Sequence, residues 1–165
     1  MNLPLLHTWD TNIKLLTATF LIVLSIGFFS GINFVEKTSG FNPKGVQENY
    51  LGNEEDENAD VLKFKKNDKQ LSSLIHSHIL SMSVIFFIVA LLVSATPINT
   101  TLKKFLMIEP LTSVLLTFGG IYFLSKGQLW MKYVIMLSGM LMTLSYGISV
   151  SIVLRHLLKK NIEGV

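Results

Sequence analysis

The chain has 165 residues, of which 50% are hydrophobic and only 15% are charged, and its formal net charge is +3. A soluble domain carries about 25% charged residues, so this composition is typical of an integral membrane protein. The chain has no cysteine, which excludes disulfides, thiolate metal sites and cysteine nucleophiles. Its lysines are scattered and form no basic face, so we expect no nucleic-acid partner.

Four apolar stretches are each long enough to cross a bilayer, which takes about 20 helical residues. They cover about residues 13–35, 74–95, 105–124 and 129–154. We therefore predict an all-α fold, an integral membrane four-helix bundle that forms a single membrane domain over residues 1–165. Residues 36–72 are its one long extramembrane loop. The first stretch could instead be a cleaved signal peptide, but it is longer than a normal signal core and no A-x-A-like site follows it.

Lysine and arginine in the short connections predict the orientation, because they concentrate on the cytoplasmic side of a membrane. If all four stretches span, the N-terminus shares one side with the basic residues Lys103, Lys104, Arg155, Lys159 and Lys160. We predict a protein of the cell inner (cytoplasmic) membrane, with both termini cytoplasmic and the long loop outside. Lys126, Lys132 and the lysines of the long loop oppose this orientation, but long loops count for less.

The long loop contains a short apolar repeat and an acidic run. Val46, Tyr50 and Leu51 recur at helical spacing, which predicts a short amphipathic helix on the membrane surface. Residues 54–60 carry five carboxylates, which we interpret as a hydrated loop. The alternatives are a docking patch for a basic partner or a hard-cation site. Asp56, Asn58 and Asp60 alternate as in a calcium loop, although the glycine and the closing glutamate of an EF-hand are missing.

Four short motifs connect the chain to a known family. They are G-F-x-P-x-G-V at residues 40–46, Y-x-G-N-E at 50–54, F-x-K at 64–66 and H-x-H-x-x-x-M at 76–82. In these motifs, and loosely along the whole chain including Glu109 and Pro110, the sequence resembles an uncharacterised family of small bacterial four-span membrane proteins. The resemblance implies the four-span topology and names no reaction.

Two histidines, His76 and His78, stand at the entrance of the second span. On a regular helix they point about 160° apart, so they cannot jointly bind one ion. We predict that His76 faces the inside of the bundle and that His78 lies on another side, beside Leu74 and Met82. An ionisable side chain within a span is a functional-site hypothesis by default.

Three uses of these histidines stay open. His76 can simply hydrogen-bond a neighbouring helix or loop. It can instead be an axial ligand of a b-type haem in an electron-transfer module, since four-helix bundles build such sites from facing helices. Met131 and Met136 are then the candidate second ligands within the chain, or His76 of a second copy. Finally, His76 and His78 can bind zinc or copper together with the acidic loop or with methionines.

Small residues at spacing four predict where the spans pack, because they let helix backbones approach closely. Each span has one such row: Gly27 and Gly31 in the first, Ser73, Ser77 and Ser81 in the second, Ser113, Thr117 and Gly120 with Glu109 in the third, and Gly139, Thr143, Gly147 and Ser151 in the fourth.

Glu109 lies inside the third span, where an isolated carboxylate needs a cation or a proton. We predict that it pairs with Arg155 or His156 at the end of the fourth span. We interpret this polar pair as a structural clasp. The alternative is a proton-handling pair beside a quinone or transport pathway.

The sequence contains no G-x-S-x-G, P-loop, G-x-G-x-x-G or H-E-x-x-H motif, which argues against hydrolytic and phosphoryl-transfer chemistry. We predict a non-enzymatic membrane protein, an accessory or assembly component that works in the lipid bilayer with other membrane subunits or as a homo-oligomer. The alternatives are a haem b electron-transfer module and a protein that handles metals or ions.

Overall fold

The computed structural model describes residues 4–57, 59 and 61–159. All regular structure in this part of the chain is helical, which confirms the all-α prediction. A short 3₁₀ helix, Leu6–Thr8, precedes the α-helices described, which are α1 (Thr11–Ser39), α2 (Pro43–Leu51), α3 (Asp68–Ser94), α4 (Thr100–Ser125) and α5 (Met131–Leu157). Three positions used in the predictions above, Asn58, Asp60 and Lys160, lie outside the described residues.

The helices α1, α3, α4 and α5 are the four predicted spans. They are 26 to 29 residues long and apolar enough to cross a membrane. At a rise of 1.5 Å per residue they extend about 40 Å, which exceeds the roughly 30 Å hydrocarbon layer of a bilayer. The chain is therefore a multi-pass membrane protein, and α2 is the predicted short helix in the long loop.

Polar residues mark the helix starts. The side chains of Asp10, Asn42, Asn67 and Asn99 each accept a hydrogen bond from a backbone N–H in the first turn of the helix that follows. Such caps satisfy backbone donors that have no partner within the helix. α1 ends at Gly40, whose φ of 59° is left-handed and favours glycine. Pro43 then opens α2 at the position where proline is best tolerated.

The helices α3, α4 and α5 form the tightly packed part of the bundle. Val93, Val114 and Val153, one from each helix, are fully buried. Between α4 and α5, the hydroxyls of Thr117 and Ser138 share a hydrogen bond of 2.7 Å. The row predicted for the third span is confirmed, since Ser113, Thr117 and Gly120 are buried in this interface.

The small-residue rows predicted for two other spans are wrong. Ser73, Ser77 and Ser81 are exposed on α3. On α5 no neighbouring helix lies close to Gly139 or Gly147, and the buried polar residues are instead Ser138, Ser145 and Ser149. The large side chains that share this face, among them Ile135, Tyr146 and Val153, decide which side of α5 is buried.

α1 packs loosely against the rest of the bundle. Only 6% of its most apolar stretch is buried, compared with 28% to 44% in the other three spans. Phe28 stacks on Tyr146 with ring centroids 4.0 Å apart, and the hydroxyls of Ser25 and Tyr146 share a hydrogen bond of 3.0 Å. Gly27 and Gly31 face open space, so their predicted packing on another helix of this chain is also wrong.

The two sides of the bundle differ. The backbone N–H of Leu6 donates to the carbonyl of Ala95 at 3.1 Å, and Leu6 is fully buried. The start of the chain therefore lies beside the α3–α4 connection and the end of α5, as predicted; we call this the terminal side. The opposite side carries residues 40–67, which we call the cap.

Candidate functional site

The cap begins where α2 folds back onto the end of α1. Gly45 lies so close to the carbonyl oxygen of Ser39 that a Cβ at this position would clash with it. Val46 beside it is buried. The ammonium group of Lys132, at the start of α5, donates to the side-chain oxygen of Gln47 at 2.8 Å. These contacts fix α2 across the cap side of the bundle.

Residues 61–66 of the cap run back along α2 and are hydrogen-bonded to it and to the loop that follows it. The side-chain oxygen of Asn53 accepts from the backbone N–H of Lys63 at 2.6 Å, and the backbone N–H of Asn53 donates to the carbonyl of Lys63 at 2.9 Å. The backbone N–H of Lys66 donates to the carbonyl of Tyr50 at 3.2 Å. Burial of the phenol raises the pKa of Tyr50 to about 12.

Ion pairs join the two halves of the cap. The ammonium group of Lys63 lies 3.6 Å from the carboxylate of Glu48 and donates to the carbonyl of Thr38 at 2.9 Å. The ammonium group of Lys44 lies 3.2 Å from Asp56 and 3.5 Å from Glu48. A hydrogen bond from Lys44 to Asp56, together with the charge of that carboxylate, raises the pKa of Lys44. The cap is therefore an ordered layer held together by polar contacts.

The described part of the acidic run gives no support to the alternative of a cation site. No group of three or more histidine, aspartate or glutamate side chains that could hold a metal ion occurs among the described residues. The carboxylate of Asp56 is used within the cap by Lys44, and that of Glu54 accepts from the backbone N–H of Lys65 at 3.1 Å. Asn58 and Asp60, the other positions of the predicted calcium-like pattern, lie outside the described residues.

Apolar side chains lie on the outside of the cap. Val61, Leu62 and Phe64, which we call the apolar strip, are 66%, 55% and 69% exposed. Lys65 and Lys69, which follow the strip closely in the sequence, are exposed as well. Lys63, between Leu62 and Phe64, is instead turned inward by its contacts with Glu48 and Thr38.

The structure leaves both histidines of α3 exposed, and they differ in their neighbours. The ring of His78 lies 4.9 Å from the ring of Phe118 on α4. The predicted position of His76 inside the bundle is wrong. Leu71 of α3 belongs to the hydrophobic core and Leu74 packs against it, and His78 follows Leu74 by one turn and Leu71 by two.

His78 is held in one orientation by its own helix. Its Nδ1 lies 2.9 Å from the carbonyl oxygen of Leu74. A carbonyl can only accept, so Nδ1 carries the hydrogen, and in the neutral ring Nε2 is then left with a lone pair. A histidine that binds a metal or haem iron uses the same arrangement, in which the other ring nitrogen donates to a carbonyl.

The predicted second ligands, Met131 and Met136, lie at the start of α5. Both are partly buried and pack against the hydrophobic core. No hydrogen bond or ring contact among the described residues joins either methionine to His76 or His78. The ring of His78 is therefore held by the Leu74 carbonyl, and neither histidine is paired with Met131 or Met136 among the described residues.

Glu109 does not form the predicted clasp. Its Oε1 accepts a hydrogen bond from the hydroxyl of Ser113 at 2.5 Å, and its Oε2 is buried and has no hydrogen-bond partner. Arg155 is exposed, and Nδ1 of His156 donates to the carbonyl of Ile152 at 2.8 Å. The structure thus has no ion pair with Arg155 or His156, and the carboxyl is instead hydrogen-bonded to Ser113, one turn along the same helix.

Two sets of residues were missed by the sequence predictions. Asn53, Lys63 and Glu48 organise the cap; the Gly52–Asn53 turn signal marks the bend but not its partners, which come from residues 61–66. Ser149, whose hydroxyl is fully buried and without a hydrogen-bond partner, has no local signal that separates it from the other serines of α5.

The comparisons with known proteins agree with this architecture. Residues 40–163 match the model of a family described as a transmembrane helical domain, Aq_1264_TM. The match begins at the cap and continues through α3, α4 and α5, so α1 lies outside it. No curated protein and no solved structure matches the chain. Because the family model covers most of its length, the chain belongs to the Aq_1264_TM family of transmembrane helical domains.

Proposed function

We propose that the protein is a non-enzymatic accessory component of a larger membrane complex, and that a partner subunit binds its cap. One observation carries this proposal. Val61, Leu62 and Phe64 are exposed to water or headgroups on a part of the chain that is otherwise held in place by hydrogen bonds and ion pairs. Exposed apolar side chains grouped on an ordered surface are typical of a protein interface.

The order of the cap favours binding because little conformational freedom is lost when a partner arrives. Asn53 and Lys63 hold the backbone of the strip against α2 before any contact is made. An interface prepared in this way avoids part of the ordering cost that a flexible loop would incur.

The charges around the strip indicate the chemistry of the partner. Lys65 and Lys69 are exposed close to the strip in sequence, whereas Glu48 and Asp56 are engaged by lysines within the cap. We therefore expect a membrane subunit whose extramembrane part offers an apolar depression with acidic groups at its edge, since complementary charges orient partners and favour their encounter.

A photo-crosslinking residue placed at Phe64 in cells tests this interaction, with the same residue at the exposed Glu57 of the cap as the matched control. We expect one protein adduct from position 64 that is absent from position 57. The charge reversal Lys65→Glu should abolish that adduct, because it would place a carboxylate against the acidic edge of the partner.

Two results would contradict the proposal. Adducts to lipid alone from position 64 would show that the strip rests in the headgroup layer. A protein adduct that persists unchanged in Lys65→Glu would show that the captured protein is not bound in the proposed way.

We also propose that a haem or metal ion can be bound by His78, as a second candidate function. The hydrogen bond from Nδ1 to the Leu74 carbonyl favours this, because it directs the Nε2 lone pair away from the helix backbone. His76 is exposed, as His78 is, but no hydrogen bond among the described residues orients its ring, so it would serve only as a ligand toward another molecule or a second copy.

A reduced-minus-oxidised visible spectrum of the purified protein, with metal analysis of the same sample, tests this second candidate. Haem bands or bound metal that disappear in His78→Ala and persist in His76→Ala would support it. A colourless, metal-free protein, or bands that respond only to His76→Ala, would count against His78 as the ligand.

A further inference from the structure

Glu109 is the one aspartate, glutamate, lysine, arginine or histidine in the apolar stretches of the four spanning helices. These stretches are residues 15–35, 79–94, 105–125 and 133–154, all of which the structure describes. An ionisable side chain within a span is rare, because burying its charged form without a partner is costly.

Glu109 also lies deep in the membrane. It is the ninth residue beyond Thr100 at the start of α4, which places it about 14 Å along the helix from that end and about 24 Å from the other. The hydrocarbon layer takes up about 30 Å of the roughly 39 Å length of α4. With the layer centred on α4, Glu109 lies about 9 Å inside the hydrocarbon, on the terminal side.

The two carboxyl oxygens have different surroundings. Oε1 accepts a hydrogen bond from the hydroxyl of Ser113. Oε2 is buried and has no partner among the described atoms. The hydroxyl of Ser149 on α5 is likewise buried and without a partner. These are the two buried side-chain polar atoms in the described part of the chain that lack one.

The register of α4 and α5 brings further polar atoms to this level. Thr117 is hydrogen-bonded to Ser138, and continuing this antiparallel pairing toward the terminal side sets Ser149 opposite Leu106, one turn from Glu109. Pro110 has no backbone N–H, so the carbonyl of Leu106 lacks the donor that a regular helix would supply. These polar atoms therefore lie about one turn from Glu109, and the Ser149 hydroxyl is not hydrogen-bonded to Oε2.

We propose that Glu109 is an intramembrane proton-binding site. The carboxyl holds its proton on Oε2, which no charged or hydrogen-bonding group in the described part of the chain meets, while Oε1 accepts from Ser113. The ligand is the proton itself, and the site is separate from the cap.

None of the ion pairs in the described part of the chain involves Glu109. On α4 the ammonium group of Lys103 donates to the carbonyl of Ser94 at 3.2 Å, and Lys104 is exposed. On α5 the first cationic side chains toward the terminal side are the exposed Arg155 and then His156, which is bonded to its own helix. α3 has no charged residue beyond His78.

Infrared spectroscopy of the protein in phospholipid vesicles at neutral pH tests the proposal, because a protonated carboxyl has a C=O stretching band that carboxylates in water lack. We expect this band in the native protein, its loss in Glu109→Gln and its retention in Glu57→Gln, which changes an exposed carboxylate of the cap. Absence of the band, or its persistence in a folded Glu109→Gln variant, would overturn the proposal.

Ser113→Ala provides a second test should Glu109→Gln fail to fold. Loss of the hydrogen bond to Oε1 strengthens the C=O bond of a protonated carboxyl, so the band should move to higher wavenumber. A band that does not move in Ser113→Ala would overturn the assignment to Glu109.

Discussion

Glycine residues shape the cap in two ways: they adopt left-handed backbone angles, or they let two backbone segments lie close together. Gly40 ends α1 with a left-handed φ of 59°, and Gly52 follows α2 with a φ of 81°. Gly45 has ordinary helical geometry but lies against the carbonyl of Ser39. Gly40 and Gly45 belong to the G-F-x-P-x-G-V motif, so this motif marks the tight corner between α1 and α2.

The variant Gly45→Ala tests the tightness of this corner. Alanine gains about 1 kcal/mol over glycine in a helix interior, but here its Cβ would push α2 away from Ser39, and overpacking of this kind costs about 1–3 kcal/mol. We expect a lower free energy of unfolding, measured by denaturation in detergent. Gly147→Ala, whose Cβ would meet open space, is the matched control. Equal stability of the two variants would contradict the packing described.

At the scale of the helices, hydropathy predicts where the spans lie in the sequence but not which side of each span is buried. The four spans were predicted to within a few residues, because a membrane requires about 20 apolar residues in each. The buried side of each span could not be read in the same way, since lipid-facing and core-facing residues are equally apolar. The inward position predicted for His76 was wrong for this reason, and the rows of small residues on three of the four spans were misjudged.

The cap is harder to predict from the sequence than the spans are, because contacts between side chains far apart in the sequence hold it together. The helical spacing of Val46, Tyr50 and Leu51 predicted α2, but its pairing with residues 61–66 depends on single polar contacts of Asn53 and Lys63. Contacts of this kind have no periodicity, so sequence patterns do not reveal them.

Tyr50 makes the packing of α2 sensitive to alkaline pH. Its folded-state pKa of about 12 exceeds the ordinary value of 10.0 because burial disfavours the phenolate. Its contribution to the free energy of unfolding is therefore complete below about pH 10 and is lost as the pH rises toward about 12. The loss amounts to about 2–3 kcal/mol. Lysines titrate in the same range, so the comparison must be made with Tyr50→Phe.

We expect the native protein to lose more stability than Tyr50→Phe when thermal unfolding is compared between about pH 9 and about pH 12. An identical loss in both proteins would show that the lysine ion pairs alone account for the alkaline sensitivity and that the Tyr50 phenol is not buried as described.

For the whole molecule, the family match and the packing divide the chain at the same place. The match starts at Gly40, and α1 before it is the least buried span. The cap and α3 to α5 thus form the shared domain, to which α1 is attached through the aromatic contacts of Phe28 and Tyr146. Which side of the membrane the cap faces rests on the distribution of lysine and arginine alone.

The central claim is a four-span bundle whose cap and terminal side lie on opposite faces of the membrane, with the cap outside. Because the chain has no cysteine, single cysteines at the exposed Glu57 of the cap and Lys104 of the terminal side report each face separately. In intact cells an impermeant maleimide should label Glu57→Cys at once and Lys104→Cys only after lysis. The reverse pattern would contradict the orientation, and labelling of both positions in intact cells would contradict the four-span topology.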